Sequence, residues 1–315
     1  MRMLEYVLWA NCTNKCKFCP QSITSSSDKD ILTKEEKLQV IQETIDNINK
    51  INNTSDILII GGELYGEKDP EIQEGIKNIW LTIKNKIIDK KIRYFYTNSN
   101  LIFEGLDFLH ELFNIFRDMP DNLKFATSYD IGGRYNDDTH KAGNTKATFK
   151  NNLWELCHIQ DRFKIVLNII MTHQFYRVYV EGIPESEYTA QNFDDTMYAS
   201  TSFSLVNWMQ TYGLAHIHLL PYIKADCIKT DVFDTNTVEI CKILEKAESE
   251  IPGYIQQHIA EFDNGQLRVC YQYIKGKGYI ENTAQKNQCY HNINFTKVLE
   301  TGECYICKLK ELFNC

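Results

Sequence analysis

Three closely spaced cysteines directly follow the first apolar segment of the chain. Cys12, Cys16 and Cys19 lie in the run NCTNKCKFCP, behind the strand-like run LEYVLWA. Thiolates on one short loop can converge on a single metal, and thiolate selects iron–sulfur clusters, zinc or copper(I). A four-iron cluster held by three cysteines would leave one iron open for chemistry, as an incomplete ligand set does in catalytic zinc sites.

A structural zinc knuckle, a disulfide with a spare thiol, and coincidence among 11 cysteines are the alternatives to a cluster. Zinc needs a fourth ligand, but no histidine or cysteine lies between Cys19 and the helical pattern that follows. A disulfide needs an oxidising compartment, and the N-terminus does not resemble a signal peptide. The sequence therefore favours an iron–sulfur cluster.

The motif resembles the signature of radical SAM enzymes, which have three cysteines at this spacing and an aromatic residue, here Phe18, before the last. The resemblance implies a 4Fe–4S cluster held by Cys12, Cys16 and Cys19, with S-adenosylmethionine bound at the open iron. It implies reductive cleavage to methionine and a 5′-deoxyadenosyl radical, which removes hydrogen from an unactivated carbon. It also implies an electron-donating reductase such as flavodoxin or ferredoxin.

Strand-like and helix-like patterns alternate through the first two thirds of the chain. Strand-like runs lie at 4–10, 56–60, 93–97, 123–128, 163–171 and 215–220, with helical spacing of apolar residues between most of them. This order with short links predicts parallel strands joined by helical crossovers. We expect an α/β fold, a partial TIM-like (β/α)6 barrel over residues 1–225.

Active sites of such barrels lie at the carboxyl ends of the strands. Gly61, Gly62 and Glu63 end the second strand, and paired glycines let a ligand approach the backbone closely. They resemble the radical SAM element that holds the amino group of the methionine moiety, although Leu64 stands where many relatives have proline. A plain strand-to-loop turn is the alternative.

Polar residues end the next strands. Asn98 belongs to a Thr-Asn-Ser run that resembles the Thr-Asn-Gly often found there, and Ser128 and Asp130 resemble the pair that meets the ribose of S-adenosylmethionine. Serine and aspartate at strand ends are equally common as turn formers. Asn168 lies on the fifth strand, and the sequence does not determine which face it occupies; if buried, it needs polar partners, which a cofactor could supply.

The alternation stops near Asp226, and residues 226–315 are predicted to form a small cysteine-rich α+β extension. The run NFTKVLETGECYICKL predicts a β-hairpin around a Glu-Thr-Gly turn. Together with the spacing of Cys289, Gly302 and Cys307, this hairpin resembles the opening half of SPASM and twitch extensions. The resemblance implies one auxiliary 4Fe–4S cluster, because only Cys315 remains of the further cysteines that the full extension carries.

The ligands of this auxiliary cluster would be Cys289, Cys307 and Cys315, with Cys270 or Cys304 as the fourth. On a regular strand Cys304 and Cys307, three residues apart, would point to opposite faces. A zinc site made by Cys289, Cys304, Cys307 and Cys315 is the alternative, and unligated thiols are another.

Two other features attract attention. His216 and His218 share one face of the sixth strand and could be metal ligands, although such pairs more often pack or hydrogen-bond within a barrel. The segment 172–200 is too long for a simple link, and we expect it to recognise the substrate; a surface insertion without this role is the alternative. Its aromatic and acidic residues are Phe175, Tyr176, Tyr179, Glu181, Glu185, Tyr188, Asp194 and Asp195.

The composition bounds the class of protein. The 315 residues are 43% hydrophobic, contain no apolar run long enough to cross a bilayer, and carry a net charge of −8 without a basic cluster. These features predict a soluble cytoplasmic protein with reduced thiols and argue against direct binding of nucleic acid. The first strand starts almost at Met1, so we expect no N-terminal peptide-binding domain.

Two functions are compatible with these patterns. The first is a radical SAM enzyme with one auxiliary cluster, acting on a peptide or a small molecule. The second is a non-catalytic, metal-stabilised binding or regulatory module with a C-terminal zinc site.

Overall fold

The computed structural model describes residues 2–9, 31–131, 145–184, 203–221, 237–262, 267–283 and 305–314. Cys12, Cys16, Phe18 and Cys19 lie outside the described residues. So do Cys289, Cys304 and Cys315. The roles predicted for these seven residues therefore stay predictions.

One eight-stranded sheet runs through the described chain, in the order β6-β5-β4-β3-β2-β1-β7-β8. Neighbours from β6 to β7 are parallel, and β8 is antiparallel to β7. The predicted α/β fold, with six parallel strands in chain order, is confirmed. The strands are β1 (Arg2–Val7), β2 (Ser55–Ile60), β3 (Ile92–Ser99), β4 (Leu123–Tyr129), β5 (Ile165–Met171), β6 (His216–Pro221), β7 (Leu267–Ile274) and β8 (Gly278–Thr283).

Helices connect the parallel strands. Local signals set where they begin: Thr33 and Glu36 form the predicted capping box of the first, and the side chain of Asp69 caps the second. The helices are α1 (Lys34–Asn49), α2 (Pro70–Ile88), α3 (Asp107–Ile115), α4 (Thr145–Ile159), α5 (His173–Tyr179), α6 (Leu205–Tyr212), α7 (Thr237–Glu250), α8 (Tyr254–Phe262) and α9 (Tyr305–Phe313).

The apolar core lies between the sheet and these helices. On β4, the ring of Phe125 packs edge-on against Phe113 of α3 at 5.3 Å, and Tyr129 stacks on Phe149 of α4 at 5.3 Å. Because side chains alternate along a strand, Ser128 lies on the opposite side of the sheet. We call this side, away from α3 and α4, the inner face.

Strands β7 and β8 were not predicted. β7 pairs with β1, the strand that starts the barrel, so the sheet continues beyond the six expected strands. β8 returns antiparallel through a turn at 275–277. This pairing satisfies the backbone groups along one side of β1, which would otherwise be an exposed edge.

The strand predicted at the end of the run NFTKVLETGECYICKL is wrong. Tyr305–Phe313 is helix α9, so Cys307 lies on an exposed helical position and not on a hairpin strand. Leu309 is buried and Phe313 packs against the core, and this spacing of four residues is helical. The C-terminal region does contain a hairpin, but β7 and β8 form it.

No helix among the described residues is long and apolar enough to span a membrane.

Candidate active site

The carboxyl ends of β1 and β2 are joined by backbone hydrogen bonds that continue past both strands. The Leu8 N–H donates to Ile60 O at 2.9 Å, and the Gly62 N–H donates to Trp9 O at 2.8 Å. A Cβ on Gly61 would lie 2.7 Å from Leu64 Cδ2 and 3.2 Å from Trp9 O, so a glycine is needed for this close approach. The paired-glycine loop therefore lies against the segment that leads into Cys12.

Glu63 fixes the same loop to the end of β3. Its carboxylate accepts hydrogen bonds from the Ser99 hydroxyl at 3.0 Å, the Asn100 N–H at 2.8 Å and the Tyr65 N–H at 3.1 Å. These bonds show that the side chain of Glu63 orders the loop, which leaves the main chain of Gly61 and Gly62 as the part that a ligand could approach.

Tyr65 and Thr97 form a second link between the ends of β2 and β3. The Tyr65 hydroxyl lies 2.6 Å from Thr97 Oγ1, which donates to Ile59 O at 3.0 Å. Both side chains are buried, and burial raises the pKa of the Tyr65 hydroxyl above its usual range. The hydroxyl pair therefore acts as a neutral, fixed link between β2 and β3.

Four predicted polar residues lie near the carboxyl edge of the sheet. Ser128 is paired with Asn168 in the register of β4 and β5, which places Asn168 on the inner face beside Ser128. Asn98 is opposite Ala126, which alternates with Phe125 and so also lies on the inner face. Asp130 follows β4 directly and is 1% exposed. The structure thus resolves the orientation of Asn168 that the sequence left open.

The cysteines of the predicted auxiliary cluster are only partly described. Cys270 lies on β7 opposite Glu5 and is half-buried, and Cys307 is exposed on α9. The proposed ligand set stays a prediction, because its other members lie outside the described ranges. Two cysteines outside the set, Cys157 and Cys241, lie on helices as expected. Burial raises the pKa of the Cys157 thiol to about 12, which fits a core residue.

The segment 172–200, predicted to recognise the substrate, begins with helix α5. The Thr172 hydroxyl accepts from the Phe175 N–H at 3.0 Å and caps this helix. Phe175 and Tyr179 are fully buried, stack at 5.1 Å and pack against Phe203. These aromatic residues belong to the core, so a role in substrate recognition is wrong for them. Residues 185–202 lie outside the described chain.

Sequence reasoning missed Trp9 and Tyr65 at this site. Trp9 acts through its backbone carbonyl, which leaves no signature in the side chain. Tyr65 follows the paired glycines by three residues and bonds across to the next strand, a contact with no local pattern. A search for polar residues at strand ends could not have found either.

Comparisons with known proteins bear on the fold. No protein-family model matches the sequence, and no curated protein is significantly similar to it. Among solved structures, anSMEcpe with bound AdoMet, an anaerobic sulfatase-maturating radical SAM enzyme, matches with a TM-score of 0.50 and 13% identity. The match covers 84% of this chain and 62% of that one.

Two further structures are less similar. The same enzyme with AdoMet and the Cp18Cys peptide gives a TM-score of 0.45 at 13% identity, covering 84% of this chain and 61% of that one. Methylornithine synthase gives 0.40 at 12% identity, covering 99% and 81%. Only the first of these matches reaches a TM-score of 0.50, and it shows that this chain shares the α/β fold of anSMEcpe. It spans about three fifths of the length of anSMEcpe.

Proposed function

We propose that this chain is a radical SAM enzyme whose 4Fe–4S cluster is held by Cys12, Cys16 and Cys19. Bound at the open iron of such a cluster, S-adenosylmethionine supplies on reduction a 5′-deoxyadenosyl radical that takes hydrogen from a peptide or small-molecule substrate. The electron comes from a reductase of the flavodoxin or ferredoxin type.

The hydrogen bond from the Gly62 N–H to Trp9 O carries this proposal. It joins the paired-glycine loop to Trp9, which stands two residues before the cysteine run begins, and the function requires the loop and that run to be adjacent. Cys12 follows Trp9 by three residues, so the chain keeps the two within about 11 Å. A ligand held by the main chain of Gly61 and Gly62 is therefore within reach of a metal on the cysteines.

The remaining polar residues fit the other parts of S-adenosylmethionine. Ser128 and Asp130 offer a hydroxyl and a carboxylate, which suit the hydroxyl groups of a ribose. Asn168, beside Ser128, and Asn98 offer amide groups that donate and accept. We assign Ser128 and Asp130 to the ribose, the main chain of Gly61 to Glu63 to the methionine amino group, and Phe18 to the cluster loop.

The protein itself has to bind and orient the cofactor and the substrate, and it has to exclude water. Glu63 and Tyr65 hold the loop of the paired glycines rigidly, so the ligand meets a preformed backbone surface. The burial of Asp130 limits the water around its carboxylate. No acid–base pair is required for the chemistry that the cofactor supplies.

We further propose one auxiliary 4Fe–4S cluster on Cys289, Cys307 and Cys315, with Cys270 or Cys304 as fourth ligand, within a C-terminal unit over residues 226–315. The spacing of Cys289, Gly302 and Cys307 supports this assignment. The exposed position of Cys307 on α9 leaves its thiol accessible to a metal.

The test is release of 5′-deoxyadenosine. The full chain is reconstituted anaerobically with iron and sulfide, reduced with dithionite and supplied with S-adenosylmethionine. We expect 5′-deoxyadenosine from the wild type and none above background from Cys16→Ala. Cys241→Ala, which removes a half-buried thiol from α7, is the matched control and retains the activity. No product from a wild type that holds its cluster would overturn the proposal and favour a non-catalytic module.

Iron content tests the auxiliary cluster separately. Two clusters give about eight iron atoms per chain and one gives about four. We expect about eight in the wild type and about four in Cys289→Ala. A wild-type value of about four removes the auxiliary cluster and leaves the proposal for the first one standing.

A further inference from the structure

A group of metal-ligating side chains lies on β6 and α8, apart from the cysteines. His218 Nε2 is 2.9 Å from Glu261 Oε2, and His216 Nε2 is 3.4 Å from Glu261 Oε1. The three ligand atoms lie within 4.8 Å of one another. Their side chains are 16%, 30% and 28% exposed in the order His216, His218, Glu261, so an ion can enter while the ring edges stay packed.

The fold holds these residues in place. β6 is the last strand of the sheet among the described residues, and the Tyr254 hydroxyl of α8 bonds to its backbone. This hydroxyl accepts from the Leu219 N–H at 3.0 Å and donates to Ile217 O at 2.9 Å. Glu261 lies seven residues after Tyr254, two helical turns along the same side of α8. The contact that fixes α8 to β6 therefore also directs Glu261 towards the two histidines.

We propose that His216, His218 and Glu261 bind a divalent zinc-class metal ion. Two imidazoles and one carboxylate form a known type of ligand set, and three protein ligands leave at least one position for water or substrate. Zinc at 2.0–2.1 Å from each ligand in a tetrahedral site separates the ligands by about 3.3 Å. His218 Nε2 is 2.9 Å from Glu261 Oε2 and His216 Nε2 is 3.4 Å from Glu261 Oε1. One ligand atom from each residue lies within 4.8 Å of the other two, so small side-chain rotations would bring them to tetrahedral spacing around an ion.

Gln257 supports the site from the next turn of α8. Its Nε2 donates to Glu261 Oε1 at 3.1 Å. A hydrogen bond of this kind orients a ligating carboxylate, and its loss typically weakens metal binding roughly 10- to 100-fold. Gln257 is thus a positioning residue for the proposed site.

A simple ion pair does not need this arrangement. Elsewhere in the described chain, His173 contacts Glu239 at 2.8 Å and His110 contacts Glu155 at 3.4 Å. Each of those involves one imidazole. At Glu261 two imidazoles direct their Nε2 atoms to one carboxylate, and the ring centres of His216 and His218 are 4.8 Å apart. A metal ion binds where three ligand atoms converge in this way.

The proposed metal lies on the same face as the candidate active site. His218 is opposite Asn168, which is opposite Ser128. The three form one row across neighbouring strands, so His218 is two strand spacings, about 10 Å, from Ser128 along the sheet. An open coordination position here would take an oxygen or nitrogen ligand of a substrate bound inside the barrel.

The test uses the full chain with its iron clusters reconstituted, so that iron occupies the cysteine sites before zinc is added. Zinc is titrated anaerobically by calorimetry, and the sample with one equivalent is measured by X-ray absorption at the zinc edge, which does not detect iron. We expect one zinc per chain with nitrogen and oxygen ligands and no sulfur. His218→Ala, Glu261→Gln and Gln257→Ala should each weaken the affinity at least about 10-fold.

The control is His173→Ala, which removes an imidazole with a single carboxylate partner and should leave zinc affinity unchanged. Thermal unfolding without zinc verifies that each variant is folded. Sulfur ligands around the single zinc in the wild type would overturn the proposal whatever the variants do. Unchanged zinc affinity in folded Glu261→Gln and His218→Ala would also overturn it.

Discussion

At the scale of single residues, Glu63 shows how a motif can work through its backbone. The Gly-Gly-Glu run resembles a ligand-binding element, yet the carboxylate of Glu63 accepts bonds from Ser99, Asn100 and Tyr65. The charged side chain thus organises the loop, and the part offered to a ligand is main chain. Replacing Glu63 should therefore lower the stability of the fold as well as the affinity for S-adenosylmethionine.

Replacing Glu63 by glutamine tests this organising role. The amide nitrogen cannot accept a hydrogen bond, so either the Asn100 N–H or the Ser99 and Tyr65 donors lose their acceptor. We expect the free energy of unfolding in urea to fall by about 1–3 kcal/mol, with weaker binding of S-adenosylmethionine. Glu71→Gln, an exposed acid paired with Lys34, should change stability by less than about 0.5 kcal/mol. Equal stability of both variants would contradict the role.

Gly61→Ala tests the close approach of β1 and β2. The new Cβ would meet Leu64 Cδ2 at 2.7 Å and the Trp9 carbonyl at 3.2 Å, and the latter is backbone that cannot move alone. We expect a loss of about 1–3 kcal/mol in unfolding free energy and reduced iron retention, because the displaced Trp9 leads into Cys12. At Gly66 an added Cβ would approach no atom closer than 3.3 Å, and that atom, Glu63 Cγ, belongs to a side chain and not to the backbone. Gly66→Ala should therefore lose less in both measurements.

At the scale of elements, helix α8 completes the edge of the sheet. The Tyr254 hydroxyl bonds to both Leu219 and Ile217 of β6. Tyr254→Phe leaves a buried N–H and carbonyl without this partner, so we expect unfolding free energy to fall by about 1–3 kcal/mol. The Tyr94 hydroxyl has no hydrogen bond within the described chain, so Tyr94→Phe should change stability by less than about 0.5 kcal/mol. Urea unfolding of both variants checks this, and equal losses would contradict it.

The sequence predicted the elements whose pattern is local. The six parallel strands and the capping box at Thr33 follow from apolar periodicity and from the spacing of Thr33 and Glu36. Asn168 was left undecided because β5 has apolar residues on both faces, so alternation gave no direction. Pairing of β7 with β1 joins segments more than 250 residues apart and has no local signal.

Helix α9 was predicted wrongly for a related reason. Tyr305, Cys307 and Leu309 alternate like a strand, but burial of Leu309 and packing of Phe313 select the helical spacing. The site residues also divide into those with a local pattern and those brought together only by tertiary packing. Glycines and polar residues at strand ends could be found in the sequence, whereas Glu261 meets His218 only through the docking of α8 on β6.

At the scale of the whole molecule, the described residues form one apolar core built from side chains of the sheet and its helices. Trp80 of α2, Phe113 of α3 and Phe125 of β4 are at most 1% exposed and pack within one apolar cluster. We expect the iron-free chain to keep its helical and strand content by circular dichroism and to unfold cooperatively in urea. A domain that needs its metal to fold would lose this content on chelation, and such a loss would contradict the prediction.

The same prediction underlies the use of Cys16→Ala as the inactive variant in the activity test. If the iron-free chain is folded, then a variant lacking one cluster ligand is folded too, and its lost activity reports on the cluster. Circular dichroism of Cys16→Ala should match that of the iron-free wild type. A disordered spectrum would mean that the cysteine segment supports the fold.

Electron paramagnetic resonance of the reduced protein tests the central claim most directly, because it reports contact between S-adenosylmethionine and the cluster. We predict that S-adenosylmethionine changes the signal of the reduced 4Fe–4S cluster in the wild type, and that nitrogen-15 in its amino group produces a hyperfine coupling to the cluster. An unchanged signal under conditions where S-adenosylmethionine is bound would contradict the account.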